Sequence, residues 1–378
     1  MNKKINVAYF TNIISPYRIP FLNYLNQNDD LNLNIYYLAE IENDRNWNIY
    51  KNEINYNYKV VNGLHIYFRK RTIHFNYNIM KELNVFHPDI IIIGTDILAS
   101  PISWFLLKYS RSKKIKTIRF EAQHTYGKSI SYFKKFLYKK YYSYIDSFFV
   151  YSQLTYKYLF INDVNPAKII VGYNVGDTEY FYQKVNEYRN SNNFITERNK
   201  YPGVIFIFSG NLDKRKNIIN LLQIFLKLNL PDSCLLILGD GPLMNKAKEI
   251  SSKFKNMKIF FMGFVQKDQS IKYYAIADIF ILPTLYDPAS IVLSEALQSG
   301  LFTIGSYNDG SSHNFINDGI NGYIIDPHDQ AMLAQKIHSA YMMKNNNLID
   351  RNFIKNTMAN YTTYKYSQRL YNLIKSLI

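Results

Sequence analysis

Four consecutive isoleucines, Ile90–Ile93, follow His87-Pro88-Asp89 and end at Gly94. A strand that is apolar at every position, rather than at alternate ones, has both faces covered. That is the mark of a parallel strand inside an α/β protein. The run is one of a series. Ile5–Phe10, Leu33–Leu38, Lys116–Glu121 and Phe148–Tyr151 read as further strands in the first half of the chain. Val204–Phe208, Leu235–Leu238, Lys258–Met262, Ile279–Leu282 and Phe302–Gly305 do so in the second, with helical segments between them. Such alternation predicts parallel sheets with right-handed crossovers. With 378 residues the chain can bury two cores of ordinary size. The expected division is a first domain over 1–175, a polar linker over 176–200, a second domain over 201–357, and a terminal helix over about 358–378.

Charge separates the two halves. Residues 1–175 carry 23 Lys and Arg against 12 Asp and Glu, a balance of +11. Residues 176–378 carry 22 against 17, a balance of +5. A basic first half calls for an anionic partner: nucleic acid, anionic lipid or a phosphorylated acceptor. The basic residues cluster at Arg69-Lys70-Arg71, at Arg111, Lys113, Lys114 and Lys116, and along Tyr132–Tyr142, where aromatic rings alternate with Lys134, Lys135, Lys139 and Lys140. Rings for the headgroup zone and lysines for anionic lipid describe an interfacial helix. A recognisable nucleic-acid-binding motif is lacking, so nucleic acid is not the expected partner. No apolar run is long enough to span a membrane. The lone cysteine, Cys234, excludes an intrachain disulfide, and no cleavage site follows the basic N-terminus. The expectation is a cytoplasmic protein, peripheral at the inner face of the membrane.

Chemistry concentrates after the Ile279–Leu282 strand, in Asp287-Pro288-Ala289-Ser290-Ile291-Val292-Leu293-Ser294-Glu295-Ala296. Asp287 is a good N-cap, Pro288 suits the first helical position, and Gly300 is a natural stop. Unpaired amides at such a helix start attract phosphate. Glu295 follows Asp287 by eight residues, roughly 12 Å along a helix at about 1.5 Å per residue. That separation suits a ligand with a diphosphate between a sugar and a ribose. Earlier, Ser209-Gly210-Asn211-Leu212-Asp213-Lys214-Arg215-Lys216-Asn217 places cations at another strand-to-helix turn, and Gly239-Asp240-Gly241-Pro242 forms a third.

Together these segments resemble the retaining glycosyltransferases of family 4, which have the GT-B fold of two Rossmann-like domains facing across a cleft. The match is Asp-x7-Glu for the family's Glu-x7-Glu, with Ala289-Ser290 in place of Phe-Gly. Gly210, Leu212 and Lys216 fit Gly-Arg-Leu-x-x-x-Lys-Gly, with Asn211 and Asn217 at the Arg and second Gly. Gly239-Asp240-Gly241-Pro242, Ala277-Asp278, Asn321-Gly322 and Asn174-x-x-Asp177 match as well, so the resemblance is specific over 204–326 and weaker over 1–175.

The resemblance implies transfer of a sugar from a nucleotide sugar, such as a UDP- or GDP-sugar, to a glycan or lipid-linked acceptor, with retention and without a metal. No Asp-x-Asp pair of the metal-holding kind is found. Glu295 would hold the ribose and Asp287 would face the donor sugar. The Ser290 and Ile291 amides with Lys216 and Arg215 would hold the diphosphate, with Gly210, Asn211, Gly239 and Gly241 lining it. In the first domain Arg18, after Ser15-Pro16-Tyr17, would meet a donor phosphate or the acceptor. Either Glu121 or His124 would touch the donor sugar. The irregular stretch Glu40–Tyr58, with Arg45 and Trp47, would be an acceptor loop, and the last helix would cross back to the first domain. Three alternatives stay open: an epimerase of the same fold, a nucleic-acid-binding protein, and a non-catalytic scaffold.

Overall fold

A computed structural model of the chain describes residues 3–42, 47–68, 71–95, 97, 100–125, 131–254 and 258–378. Arg45, Arg69 and Lys70 lie outside them. The chain forms two compact units, one made of residues up to Tyr173 together with Thr363–Ile378, the other of Asn174–Thr362.

The first unit is built on seven parallel strands in the order β3-β2-β1-β6-β7-β8-β9. They are β1 (Ile5–Thr11), β2 (Leu31–Tyr37), β3 (Asn57–Val60), β6 (Ile90–Ile93), β7 (Lys116–Glu121), β8 (Ser147–Val150) and β9 (Ile169–Val171). The four isoleucines of β6 are fully buried and lie between β1 and β7, as a strand without a polar face must. Thr363–Ser376 belongs to this unit. It packs on the helix Ile19–Asn26 through Tyr366 stacked on Phe21 at 4.3 Å, and Lys375 reaches Asp30 at 2.6 Å.

Two features of this unit depart from the sequence reading. Glu40–Tyr58 is not wholly a loop, because its end pairs with β2 as β3. An antiparallel hairpin, β4 (Gly63–Phe68) with β5 (Arg71–Asn76), is also present. The sequence gives no sign of it, since no Asn-Gly or Asp-Gly pair separates its two strands.

The second unit holds six parallel strands in the order β12-β11-β10-β13-β14-β15: β10 (Val204–Ser209), β11 (Ser233–Leu238), β12 (Lys258–Gly263), β13 (Ile279–Leu282), β14 (Phe302–Ser306) and β15 (Gly322–Ile325). Helix Ile218–Leu228 buries Leu221, Leu222 and Phe225 against it. The stretch read as a linker is helical instead, as Thr178–Arg189 and Asn193–Arg198. Its polar composition hides a narrow stripe, Thr178, Phe181 and Val185, which is buried. Phe181 meets Tyr274 edge-on at 5.4 Å. Among the described residues no helix is long and apolar enough to cross a membrane.

Candidate functional site

In an open parallel sheet the ends of the strands carry the ligand-binding loops. The turn after β10 and the turn after β11 touch: Gly210 N donates to Leu238 O at 2.9 Å and Leu212 N to Asp240 O at 2.9 Å. Gly239 sits at φ 144°, and a Cβ there would come within 1.9 Å of Gly210 O. Gly239→Ala is therefore expected to force these two turns apart and to cost on the order of 2–4 kcal/mol. Chemical denaturation of the variant against wild type measures it. Asn217, at the family's second Gly, adopts φ 59°, a left-handed conformation that Asn tolerates better than most residues.

The β10 turn delivers two cations to one carboxylate. Lys216, buried, places Nζ 2.7 Å from Asp287 Oδ2. Arg215, 43% exposed, places Nη1 2.8 Å from the same oxygen. The Lys216 amide is tied to Asp213 Oδ1 at 2.9 Å, and Arg215 O accepts from Leu285 N at 2.8 Å. The turn is thus sewn to the segment after β13. Burial pushes the Asp287 carboxyl up, but Lys216 and Arg215 outweigh it and hold it below the ordinary range.

The helix after β13 starts later than expected. It runs Ile291–Gln298 with Ser290 as N-cap, so Asp287 is not its cap and Pro288 is not in its first turn. Asp287 instead forms a bridge with Asp309: its amide donates to Asn308 O and its carbonyl accepts from Gly310 N, both at 3.1 Å. This brings two acids together. Asp309 is fully buried and accepts from the Ser290 amide at 3.1 Å, the Ser290 hydroxyl and the Ser311 amide at 3.0 Å. The Ser290 amide expected to bind phosphate is therefore engaged by Asp309. The Asp309 carboxyl is pushed up to about 7, first by burial and then by the Asp287 charge. Sequence reasoning missed Asp309. Its only local signal, Asn308-Asp309-Gly310, marks a helix start, which Asp309 does cap. Nothing local shows that the same carboxylate reaches Ser290.

Glu295 is partly buried one face along this helix. Tyr274 donates to its Oε2 at 3.4 Å. Burial pushes its carboxyl up to about 7, against the opposing pull of Lys267. Lys267 is itself bound to Asp177 at 2.6 Å. The preceding Asn174-x-x-Asp177 stretch braces the helix start, with Asn174 donating to Ala289 O at 3.4 Å and Gly176 N to Ser294 Oγ at 3.3 Å. Gly300 ends the segment at φ 74°, as expected. Asn211 is exposed and donates to Asp213 Oδ2 at 3.1 Å. Gly241 shapes the adjoining turn, where a Cβ would lie 2.5 Å from Asn211 Oδ1. Among the described residues no group of three or more His, Cys, Asp or Glu could hold a metal ion.

In the first unit, Arg18 is partly buried and donates to Tyr9 Oη at 3.1 Å and to Tyr151 Oη. Glu121 is saturated. Its Oε2 accepts from Tyr142 at 2.8 Å and Arg119 at 3.3 Å, and its Oε1 accepts from the Ala122 and Gln123 amides at 2.9 and 3.1 Å. A carboxylate so engaged holds the loop together. His124, on the same loop, is fully buried.

The comparisons bear on the second unit. Residues 187–358 match the family Glycosyl transferases group 1. The matched region contains Lys216, Asp287, Glu295 and Asp309. The chain is 30% identical over 139 residues to alpha-monoglucosyldiacylglycerol synthase of Acholeplasma laidlawii, covering 35% of this chain and 34% of that protein. The chain thus spans about a third of the length of that relative. Over nearly its whole length it has the fold of a glycosyltransferase from Rickettsia africae (TM-score 0.76, 17% identity, 99% of this chain and 98% of that one). It also has the fold of HepE from Anabaena, solved with UDP and glucose (TM-score 0.73, 13% identity, 98% and 100%). These neighbours place the two units in the GT-B fold.

Proposed function

We propose that the protein is a retaining glycosyltransferase that moves a sugar from a nucleotide sugar to a glycan or lipid-linked acceptor. The observation that carries this reading is the pairing of Lys216 and Arg215 with Asp287, with Glu295 on the helix that follows, inside a region that matches group 1 glycosyltransferases. Lys216 and Arg215 hold the diphosphate, Glu295 accepts from the ribose hydroxyls, and Asp287 faces the donor sugar. As the bond between the anomeric carbon and the phosphate oxygen breaks, negative charge grows on the phosphate, and preorganised cations stabilise it. The acceptor oxygen bonds to that carbon on the face the phosphate leaves, and its proton passes to the departing phosphate. In the first unit Glu121, at the end of β7, or His124, on the loop after it, is the candidate to meet the sugar.

The test is incubation with a panel of nucleotide sugars and candidate acceptors, reading nucleoside diphosphate release and the anomeric configuration of the product by NMR. Consumption of donor with epimerised free product and no acceptor would support the epimerase instead. A chelator is expected to leave turnover unchanged. A large loss rescued by Mn²⁺ would mean a metal takes part.

We place the enzyme on an anionic membrane surface. On helix Tyr132–Tyr142, Tyr132, Phe133 and Phe136 are 89%, 69% and 60% exposed, beside exposed Lys134 and Lys135. Tyr138, Tyr141 and Tyr142 face the core, so the outward patch is smaller than the sequence suggests. Lys139 is bound to Asp163 at 2.6 Å. Each free lysine near an anionic surface contributes about 1 kcal/mol, and three rings add apolar burial. The similarity to a synthase of glucosyldiacylglycerol supports a lipid acceptor. Vesicles with anionic lipid are expected to sediment the protein at low salt and release it at high salt. A Phe133→Ser, Phe136→Ser variant that sediments equally well would refute this face.

A further inference from the structure

Away from the Asp287 cluster, the second unit has a cavity of 420 Å³ lined by Tyr182, Asn186, Arg189, Asn190, Arg351, Asn352 and Lys355. Three of its residues are cations, and their counterions are scarce. One carboxylate, Asp278, is buried near them and is already oversubscribed. Its Oδ1 takes Arg351 at 2.8 Å and Lys344 at 3.2 Å, and its Oδ2 takes Arg198 at 3.2 Å and the Ile205 amide at 2.9 Å. Among the described residues, Arg189 and Lys355 form no ion pair.

Each arginine spends one side of its guanidinium on the protein and leaves the other. Arg189 donates Nε to Ala275 O at 3.0 Å and Nη2 to Tyr274 O at 3.3 Å, while its buried Nη1 has no partner. Arg351 Nη1 is likewise buried and without a partner. Lys355 is 9% exposed, donates to Asn186 Oδ1 at 2.6 Å and lies over the Tyr182 ring at 5.4 Å. Burial, then the nearby charges of Arg189 and Arg351, push its amine down to about 8. Buried charged donors without acceptors are costly, and like charges gathered at one cavity add to that cost.

We propose that this cavity is an anion site for a phosphate group, with Arg189, Arg351 and Lys355 as its cationic wall. Guanidinium forks match phosphate oxygens, and the volume falls within the about 300–1,000 Å³ of small-molecule sites. The Asn186 and Asn190 carboxamides and the Tyr182 hydroxyl are suited to the hydroxyls of a phosphate ester. The same chemistry is offered by a free phosphate ester and by a phospholipid headgroup.

The full chain is titrated with inorganic phosphate by calorimetry at constant ionic strength against chloride, then with glycerol 1-phosphate, then with phosphatidylglycerol vesicles. Saturable phosphate binding is expected to persist with UDP present to occupy the Lys216 and Arg215 cations, and to weaken at least tenfold in Lys355→Gln, whose amide can still donate to Asn186. Arg189→Gln should weaken it similarly, and circular dichroism checks that its helix contacts survive. Glycerol 1-phosphate binding tighter than phosphate supports a free ester, and vesicles displacing phosphate support a headgroup. No saturable binding with UDP present, or binding there that is kept in Lys355→Gln, overturns the site.

Discussion

Glu295→Gln is expected to weaken nucleoside diphosphate binding and, in the same protein, to make the unliganded fold harder to unfold at pH 8. The two effects have one cause. Burial raises the Glu295 carboxyl from an ordinary 4.5 to about 7. Between those values the folded protein holds a proton that the unfolded chain has released. Stability therefore falls as pH rises from 4.5 through 7 and stays reduced above it. A neutral glutamine removes that term, which amounts to up to about 3 kcal/mol at about 1.4 kcal/mol per pKa unit. Donor binding runs the other way. On the proposed placement of the ribose, its hydroxyls donate to the ionised carboxylate, so wild-type affinity should climb with pH through about 7 and then level off. A charge-assisted bond of about 1.5–3 kcal/mol corresponds to a loss of roughly ten- to a hundredfold in the variant. The variant should also lose the pH dependence. Calorimetry with UDP from pH 6 to 8 and melting at pH 8 read both quantities. Unchanged affinity would remove the ribose from Glu295. A lower melting temperature would mean that Tyr274 and Lys267 already stabilise the charge.

Much of this was legible because it rests on periodicity and local turn chemistry. Ile90–Ile93 could only be a strand covered on both faces, and β1, β10, β11 and β13 announce themselves in the same way. Lys216, Asp287 and Glu295 stood out through their spacing around strand-to-helix turns. What sequence could not give is pairing across distance. Asp309 lies 19 positions from the Ser290 it binds, and a cap signal says nothing about a second partner. Glu121 looked available because a strand end is a common place for a functional acid. Tyr142, 21 residues on, is what occupies it. Helix Thr178–Arg189 was hidden by asparagine, glutamate and lysine on its outer face, which dilute three buried residues. The cavity at Arg189 and Lys355 joins residues up to 173 positions apart that carry no motif at all.

Asp287→Asn should separate binding from turnover. One oxygen of Asp287 takes both Lys216 and Arg215, at 2.7 and 2.8 Å. A diphosphate, with about two negative charges, needs those same cations, so Asp287 is its competitor as well as its neighbour. Removing the charge should tighten UDP binding several-fold. It should lower turnover by about 10²–10³, the usual scale for losing one preorganised electrostatic contact, because on the proposed placement of the donor the carboxylate would no longer face the positive charge that develops on the sugar. It should also let the Asp309 carboxyl fall from about 7, since the Asp287 charge is one of the two influences raising it. Lys216→Ala is the complement. It leaves Asp287 buried with Arg215 alone, and a broken buried pair costs about 3–5 kcal/mol. Turnover should fall more than affinity, since the charge on the phosphate is greatest as the sugar leaves. Steady-state kinetics beside UDP calorimetry on both variants give the comparison. If Asp287→Asn weakened UDP binding in step with turnover, Asp287 would be a ligand of the donor rather than a rival for its cations. If Lys216→Ala raised only KM, the lysine would hold the ground state alone.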